Sequence, residues 1–280
     1  MIDYEKRVFR AMNHISRNIE RDLPLEEIAR VAAFSPFHFH RIFKAVAGET
    51  AAEFTRRLRI ELAANRLLAR PRGDVTSIAV ACGFSSSQNF AKAFRQRYGM
   101  SPTEYRAAKS VPAVPFISID ATIKEMPVSK AASIRRIGPY TPETCLPAFG
   151  ELLGWAASQP FSMSEVPAPG PGKVIAIYWD NPEVTPPERR RFDCCLIVPP
   201  GTVCGPPVFV QEVGGGRWAF CRSEARPEEI PRAWEAAFRW LVGSGHECRP
   251  VPCYEIYNND AREHPEGKWV IDIAIPLTKR

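Results

Sequence analysis

The chain has 280 residues, 24% of them charged and 45% apolar, with a net charge of +6, and it is long enough for two domains. No apolar run approaches the roughly 20 residues of a membrane span, and the start MIDYEKRVFR lacks the apolar stretch of a secretory leader, so a cytoplasmic protein without a membrane partner is expected. Residues 1–110 hold 19 Lys and Arg against 11 Asp and Glu, and the remainder holds 18 against 20, so the basic excess that a polyanion requires lies in the first part of the chain.

The first predicted element is an amphipathic helix over residues 4–20, where Val8, Met12, Ile15 and Ile19 recur at helical spacing. The stretch LEEIARVAAFSPFHFHRIFKAVAG, residues 25–48, then reads as a short helix, a turn and a second helix opened by Ser35-Pro36. Residues 51–69 contain neither Pro nor Gly and predict a long linking helix. From Ser77 to Arg106 the helix–turn–helix pattern returns. Ile78, Ala79 and Cys82 form a stripe, Gly83 ends the first helix, Ser85 or Ser86 caps the second, and Phe90 and Phe94 are its buried face. Shifting the chain by 50 places Ile28, Ala29, Phe34 and Ser35 on Ile78, Ala79, Phe84 and Ser85; a shift of 51 places Phe39, Arg41 and Phe43 on Phe90, Lys92 and Phe94. This is an internal repeat. A helix–turn–helix presents its second helix to the DNA major groove.

The two patterns, S-x-x-x-F-x-R-x-F-K-x-x-x-G and I-A-x-x-C-G-F-x-x-x-x-x-F-x-x-x-F-R-x-x-x-G-x-S-P-x-x-Y-R, resemble the AraC/XylS family of transcription regulators over roughly residues 5–107. The resemblance implies that both recognition helices enter neighbouring major-groove segments on one face of the DNA. On the first helix the DNA-binding candidates are Phe37, His40, Arg41 and Lys44, and on the second Gln88, Asn89 and Lys92. Gln88 suits adenine, Lys92 suits guanine or phosphate, and His40 can donate to guanine. Phe37 departs from the family pattern, where an aromatic with an N–H donor is common, and it suits an apolar group such as the thymine methyl. About half of such contacts reach only the DNA backbone.

Composition changes near residue 107: residues 1–110 carry 4 prolines and the rest of the chain carries 23. We expect a DNA-binding domain over 1–108, a linker over 109–121 and a second domain over 122–280. The second domain is itself doubled. A shift of 85 places Pro142, Glu143, Ala148, Phe149, Leu153 and Trp155 on Pro227, Glu228, Ala233, Trp234, Phe238 and Trp240. Each half reads strand, helix, strand, strand, which predicts an α+β domain with an antiparallel sheet and helices on one side. Gly138-Pro139-Tyr140, the run Asn181–Glu188, Arg191–Cys195, Gly215–Phe220 and Arg249–Tyr257 resemble the GyrI-like small-molecule-binding domain over nearly all of residues 122–279. Ser223–Arg226 departs from it where many relatives carry a basic residue.

Within the apolar strand Cys253–Tyr257, Glu255 shares a face with Tyr257. A buried carboxylate must be paired or protonated, and among aromatic rings it suits a cationic, lipophilic ligand. Relatives in the GyrI-like family use a glutamate here, and the matching position in the first half is Ala176. A solvated glutamate, or a salt bridge to Arg217 or Arg249, is the structural alternative. The ligand-binding candidates are Glu255, Tyr257, Tyr140, Tyr178, Trp218 and Phe220; Trp155, Trp234 and Trp240 are expected in the core, with Trp234 also able to face the cleft.

The eight cysteines form no C-x-x-C pair and none has a histidine at metal-ligand spacing, and His38 and His40 lack a third ligand, so reduced cysteines, no metal and no cofactor are expected. No nucleophile–base pair is legible and no catalytic residue is assigned. The expected function is sequence-specific transcription regulation, activating, with double-stranded DNA, a small lipophilic or cationic effector and RNA polymerase as partners. Two alternatives stay open: a GyrI-like domain that hydrolyses its bound compound, and a protein-contact module without ligand.

Overall fold

The protein is described by a computed structural model for residues 4–70, 72–109, 119–161, 174–182 and 185–278. It divides into two compact units, residues 1–114 with 181–189, and residues 115–180 with 190–280. Of the linker expected at 109–121, residues 110–118 lie outside the described residues.

The first unit is helical: α1 Tyr4–Arg17, α2 Leu25–Val31, α3 Pro36–Ala47, α4 Ala51–Ala69, α5 Val75–Ala81, α6 Ser87–Tyr98 and α7 Pro102–Lys109. The α1 stripe is buried as its spacing predicts. Val8, Met12, Ile15, Phe39, Phe43 and Phe54 centre one core, and Leu67, Ile78, Phe90, Phe94 and Tyr105 centre a second. Helix α4 supplies Phe54 and Leu58 to the first core and Ile60, Ala63 and Leu67 to the second, so it is the beam on which both helix–turn–helices are built. Its start is a capping box in which Thr50 accepts from the Glu53 amide and Glu53 accepts from the Thr50 amide. Arg59 of α4 donates to the carbonyls of Ile19 at 3.1 Å and Arg21 at 2.8 Å, which ties the beam to the first repeat. Arg57 is buried between Glu49 at 2.7 Å and Glu61 at 3.1 Å, and it also donates to the hydroxyl of Thr185, a buried residue of the 181–189 segment that belongs to this unit.

The second unit is an eight-stranded antiparallel sheet in the order β1-β6-β8-β7-β3-β4-β2-β5. Its strands are β1 Ala121–Glu125, β2 Ser129–Ile137, β3 Val174–Tyr178, β4 Arg191–Ile197, β5 Phe209–Val213, β6 Arg217–Ala225, β7 Cys253–Tyr257 and β8 Trp269–Pro276, with helices α8 Pro142–Ala157 and α9 Ile230–Ser244. The units β2-α8-β3-β4 and β6-α9-β7-β8 repeat, and they join where β3 pairs with β7, with Ala176 directly across from Glu255. Both helices cover one face: α8 packs on Ile134, Ala176, Phe192 and Cys194, and α9 on Ala219, Cys221, Ile271 and Ile273. The opposite face has its own core of Ile175, Ile177, Trp218, Tyr254 and Ile256. It also holds a fully buried ion pair, Arg135 to Asp193 at 2.5 and 2.6 Å, to which Trp179 and Gln211 each donate at 2.8 Å.

Candidate functional site

On the helical unit, each recognition helix is framed by its caps. Ser35 accepts from the His38 amide at the start of α3, and Ser86 from the Asn89 amide at the start of α6, which decides between the two serines proposed from the sequence. Gly48 and Gly99 close these helices in the left-handed conformation, with φ of 72° and 74°. Phe37, His40, Arg41 and Lys44 all lie on the exposed face of α3, and Gln88, Asn89 and Lys92 on that of α6. Phe37 is 65% exposed, and the Arg41 guanidinium lies 4.8 Å from its ring centroid. Asn89 also donates to the Ser85 hydroxyl at 3.2 Å. Lys92 and Arg95 line a hollow on α6 together with Gln96 and Ser101, a cationic surface suited to a phosphate or a base edge.

On the sheet unit, Glu255 is 2% exposed and lies on the helix-covered face at the junction of the two repeats. Three aromatic side chains donate to it: Trp234 Nε1 to Oε1 at 2.6 Å, Tyr257 Oη to Oε2 at 2.6 Å and Tyr178 Oη to Oε2 at 3.1 Å. Tyr178 meets Tyr140 edge-on at 5.0 Å and Trp234 at 6.0 Å, and Tyr257 meets Phe149 at 5.8 Å and Trp269 at 5.1 Å. Tyr140 is fixed in turn by donating to the Arg191 carbonyl at 2.8 Å and accepting from the Asp180 amide at 3.1 Å. Neither Arg217 nor Arg249 pairs with Glu255, and among the described residues no Lys or Arg does; Arg249 instead donates to the Gly215 carbonyl at 2.7 Å. Burial pushes the Glu255 carboxyl up, against the three donors, which favour its charged form. The same burial and the adjacent carboxylate hold Tyr178 and Tyr257 as neutral phenols.

Trp218 and Phe220 do not join this group. The register runs Cys221–Ile273–Glu255 across β6, β8 and β7, whereas Phe220 pairs with Ala274 and Ala274 with Tyr254, so Trp218 and Phe220 point to the opposite face. There Trp218 stacks on Tyr254 at 4.6 Å and donates to the Gly215 carbonyl at 3.0 Å. In their place the structure brings Trp234 from α9 and Phe149 from α8. Trp234, expected in the core or facing the cleft, takes the second place, and Phe149, known from the sequence only as its repeat match, joins it.

Residues 120–278 match the GyrI-like small molecule binding domain, and residues 11–108 match a helix-turn-helix domain. The chain belongs to the GyrI-like family. DNA gyrase inhibitor 1 of Dickeya dadantii is 27% identical over 163 residues, spanning 57% of this chain and 99% of that protein. The probable transcriptional regulator LumQ of Photobacterium leiognathi is 35% identical over 94 residues, which are 34% of this chain and 38% of LumQ. A solved AraC-type transcriptional regulator from Chromobacterium violaceum shares 29% identity over 38% of this chain and 95% of its own, with a TM-score of 0.35. The chain thus joins a helix-turn-helix domain to a GyrI-like small molecule binding domain, and among its described residues no helix is long and apolar enough to cross a membrane.

Proposed function

We propose that this regulator is a cytoplasmic transcriptional activator whose sheet unit binds a lipophilic cation on Glu255. The observation that carries the reading is a buried carboxylate with three aromatic donors and no cationic partner among the described residues. Such a group is costly to keep charged, and a ligand cation supplies the missing countercharge while the rings add cation–π attraction. On the helical unit, Phe37, His40, Arg41 and Lys44 read one groove segment and Gln88, Asn89 and Lys92 the next. The ligand acts by its differential affinity for the states that do and do not engage DNA and RNA polymerase productively.

The site reads as a binder rather than a hydrolase. Cys145 lies close enough to feel the Glu255 charge, but burial pushes its thiol up to about 11, so it is protonated at neutral pH and a poor nucleophile. The test has two steps. Operator sequences are first selected from a random DNA pool. Transcription from a promoter carrying the selected site is then measured with and without aryl quaternary ammonium compounds that raise the melting temperature of the protein. Activation by the cation supports the reading. Turnover of the compound supports the hydrolase alternative, and regulated transcription with no stabilising ligand supports a protein-contact module.

A further inference from the structure

Six of the eight cysteines are buried, and the two that retain exposure, Cys248 and Cys253, are neighbours. They flank the loop that leads from α9 into β7. Cys248 pairs with Leu277, framed by hydrogen bonds from the Arg249 amide to the Pro276 carbonyl and from the Thr278 amide to the Glu247 carbonyl, each 2.9 Å. Tyr254 pairs with Ala274, so the antiparallel register carries Cys253 opposite Ile275. The two cysteines thus face Leu277, just past the end of β8, and Ile275 within it, alternate residues of one extended stretch, on the same side of the sheet. Alternate residues of a strand lie about 6.6 Å apart, within the span a disulfide bridges. Both side chains pack against the same apolar cluster beneath α9, Cys248 Sγ donates to the Arg249 carbonyl at 3.3 Å, and the neighbouring Cys248 thiol together with burial holds Cys253 protonated. The intervening loop is stiffened by Pro250 and Pro252 and pinned by Arg249, whose guanidinium donates to the Gly215 carbonyl at 2.7 Å. Two thiols preset at this separation close a ring with little loss of chain freedom.

We propose that Cys248 and Cys253 form a reversible dithiol–disulfide site, oxidised by hydrogen peroxide. The Cys248 sulfur attacks one peroxide oxygen, the O–O bond breaks, and water leaves with a sulfenic acid on Cys248. The Cys253 sulfur then attacks that sulfur, the S–O bond breaks, and a second water leaves with both thiol protons accounted for. Two electrons pass from the thiols to the peroxide. The site opens β7 two residues before Glu255, so it sits on the strand that carries the candidate ligand carboxylate, and its chemistry does not depend on what that carboxylate binds.

The test uses the full chain, reduced and then exposed to hydrogen peroxide, alkylated after unfolding and digested with trypsin. The Arg249–Pro250 bond resists trypsin, so residues 240–262 form one peptide that holds this cysteine pair alone. The expected result is that this peptide loses both alkyl labels and the mass of two hydrogens, that dithiothreitol restores both labels, and that the other six cysteines keep theirs. In Cys248→Ser the loss of two hydrogens disappears. Cys253→Ser is the matching variant, and its thermal transition beside that of the reduced wild type shows that the fold is intact. Labels retained on both cysteines after oxidation, oxidation of each to sulfinic acid without loss of two hydrogens, or a linkage between two chains would overturn the proposal.

Discussion

Among the glycines of the helical unit, Gly83 is the one with least room for a side chain. Its φ is +82°, and a Cβ added there would lie 2.7 Å from both Cζ and Nε of Arg59. Gly83→Ala therefore combines two costs. The left-handed backbone disfavours alanine by roughly 1–2 kcal/mol, offset by about 0.4–1 kcal/mol because alanine restricts the unfolded chain. The second cost is displacement of the Arg59 guanidinium from the carbonyls of Ile19 and Arg21. Arg59 is partly solvated, so each of those hydrogen bonds is given the value of an ordinary neutral one, about 1 kcal/mol. The sum is about 2–3 kcal/mol. Gly99 provides the control, since its φ is +74° and nothing lies within 4 Å of the added Cβ, so Gly99→Ala carries only the backbone cost of about 1 kcal/mol. The assay is thermal unfolding of the full chain followed by far-UV circular dichroism, to which the helical unit contributes strongly. All six tryptophans lie in residues 155–269, so their fluorescence reports the sheet unit in the same experiment. Gly83→Ala is expected to lower the circular-dichroism transition about two to three times as far as Gly99→Ala. Equal shifts for the two variants would refute the reasoning, because Arg59 would then move aside without cost.

The first repeat has Ala33 at the position of Gly83, with φ 55°, so by the same backbone terms Ala33→Gly is expected to stabilise by about 1 kcal/mol in the same assay. Arg41→Ala and Lys92→Ala should each weaken binding to the selected operator and reduce the slope of log affinity against log salt by about 1 where the side chain meets a phosphate, read by fluorescence anisotropy. Arg135→Met strands a fully buried Asp193 and should destabilise the sheet unit by about 3–5 kcal/mol, visible in tryptophan fluorescence because Trp179 donates to that carboxylate. The folded-state carboxyl of Glu255 is raised, so the stability it contributes is complete below the ordinary carboxylate range and is lost as pH rises through the raised value. Affinity for a permanent cation should run the opposite way, strengthening with pH across that window, and calorimetric titrations at stepped pH test the sign.

Much of this architecture is written in local patterns. Both helix–turn–helices follow from apolar residues at helical spacing, from glycines just past helix ends and from serines that cap, all of which act within one or two turns of chain. The doubled strand–helix–strand–strand unit is legible because both copies keep their helix positions, and Glu255 stands out as a charge in an apolar strand. Which face each strand residue takes is less legible. In β6, Trp218, Ala219, Phe220 and Cys221 are all buried, so hydrophobicity does not distinguish the two faces, and the reading of Trp218 and Phe220 as neighbours of Glu255 failed there. The donors of Glu255 include Tyr178, 77 residues away, and Trp234, 21 residues away, contacts that only the folded sheet and helix create. The Arg135–Asp193 pair, 58 residues apart, is hidden for the same reason.

The most direct test is calorimetric binding of an aryl quaternary ammonium compound and of an uncharged compound of the same shape to the wild type and to Glu255→Gln. Glutamine keeps the size and the acceptor oxygen but removes the charge. A quaternary ammonium has no N–H to donate, so what is lost is the coupling of a close charge pair, on the order of 1.5–7 kcal/mol, and the cation should lose at least about tenfold in affinity. The uncharged compound should bind both proteins alike. Equal losses for both compounds, or a cation affinity untouched by the substitution, would contradict the account and leave Glu255 as a structural acceptor for Tyr178, Tyr257 and Trp234.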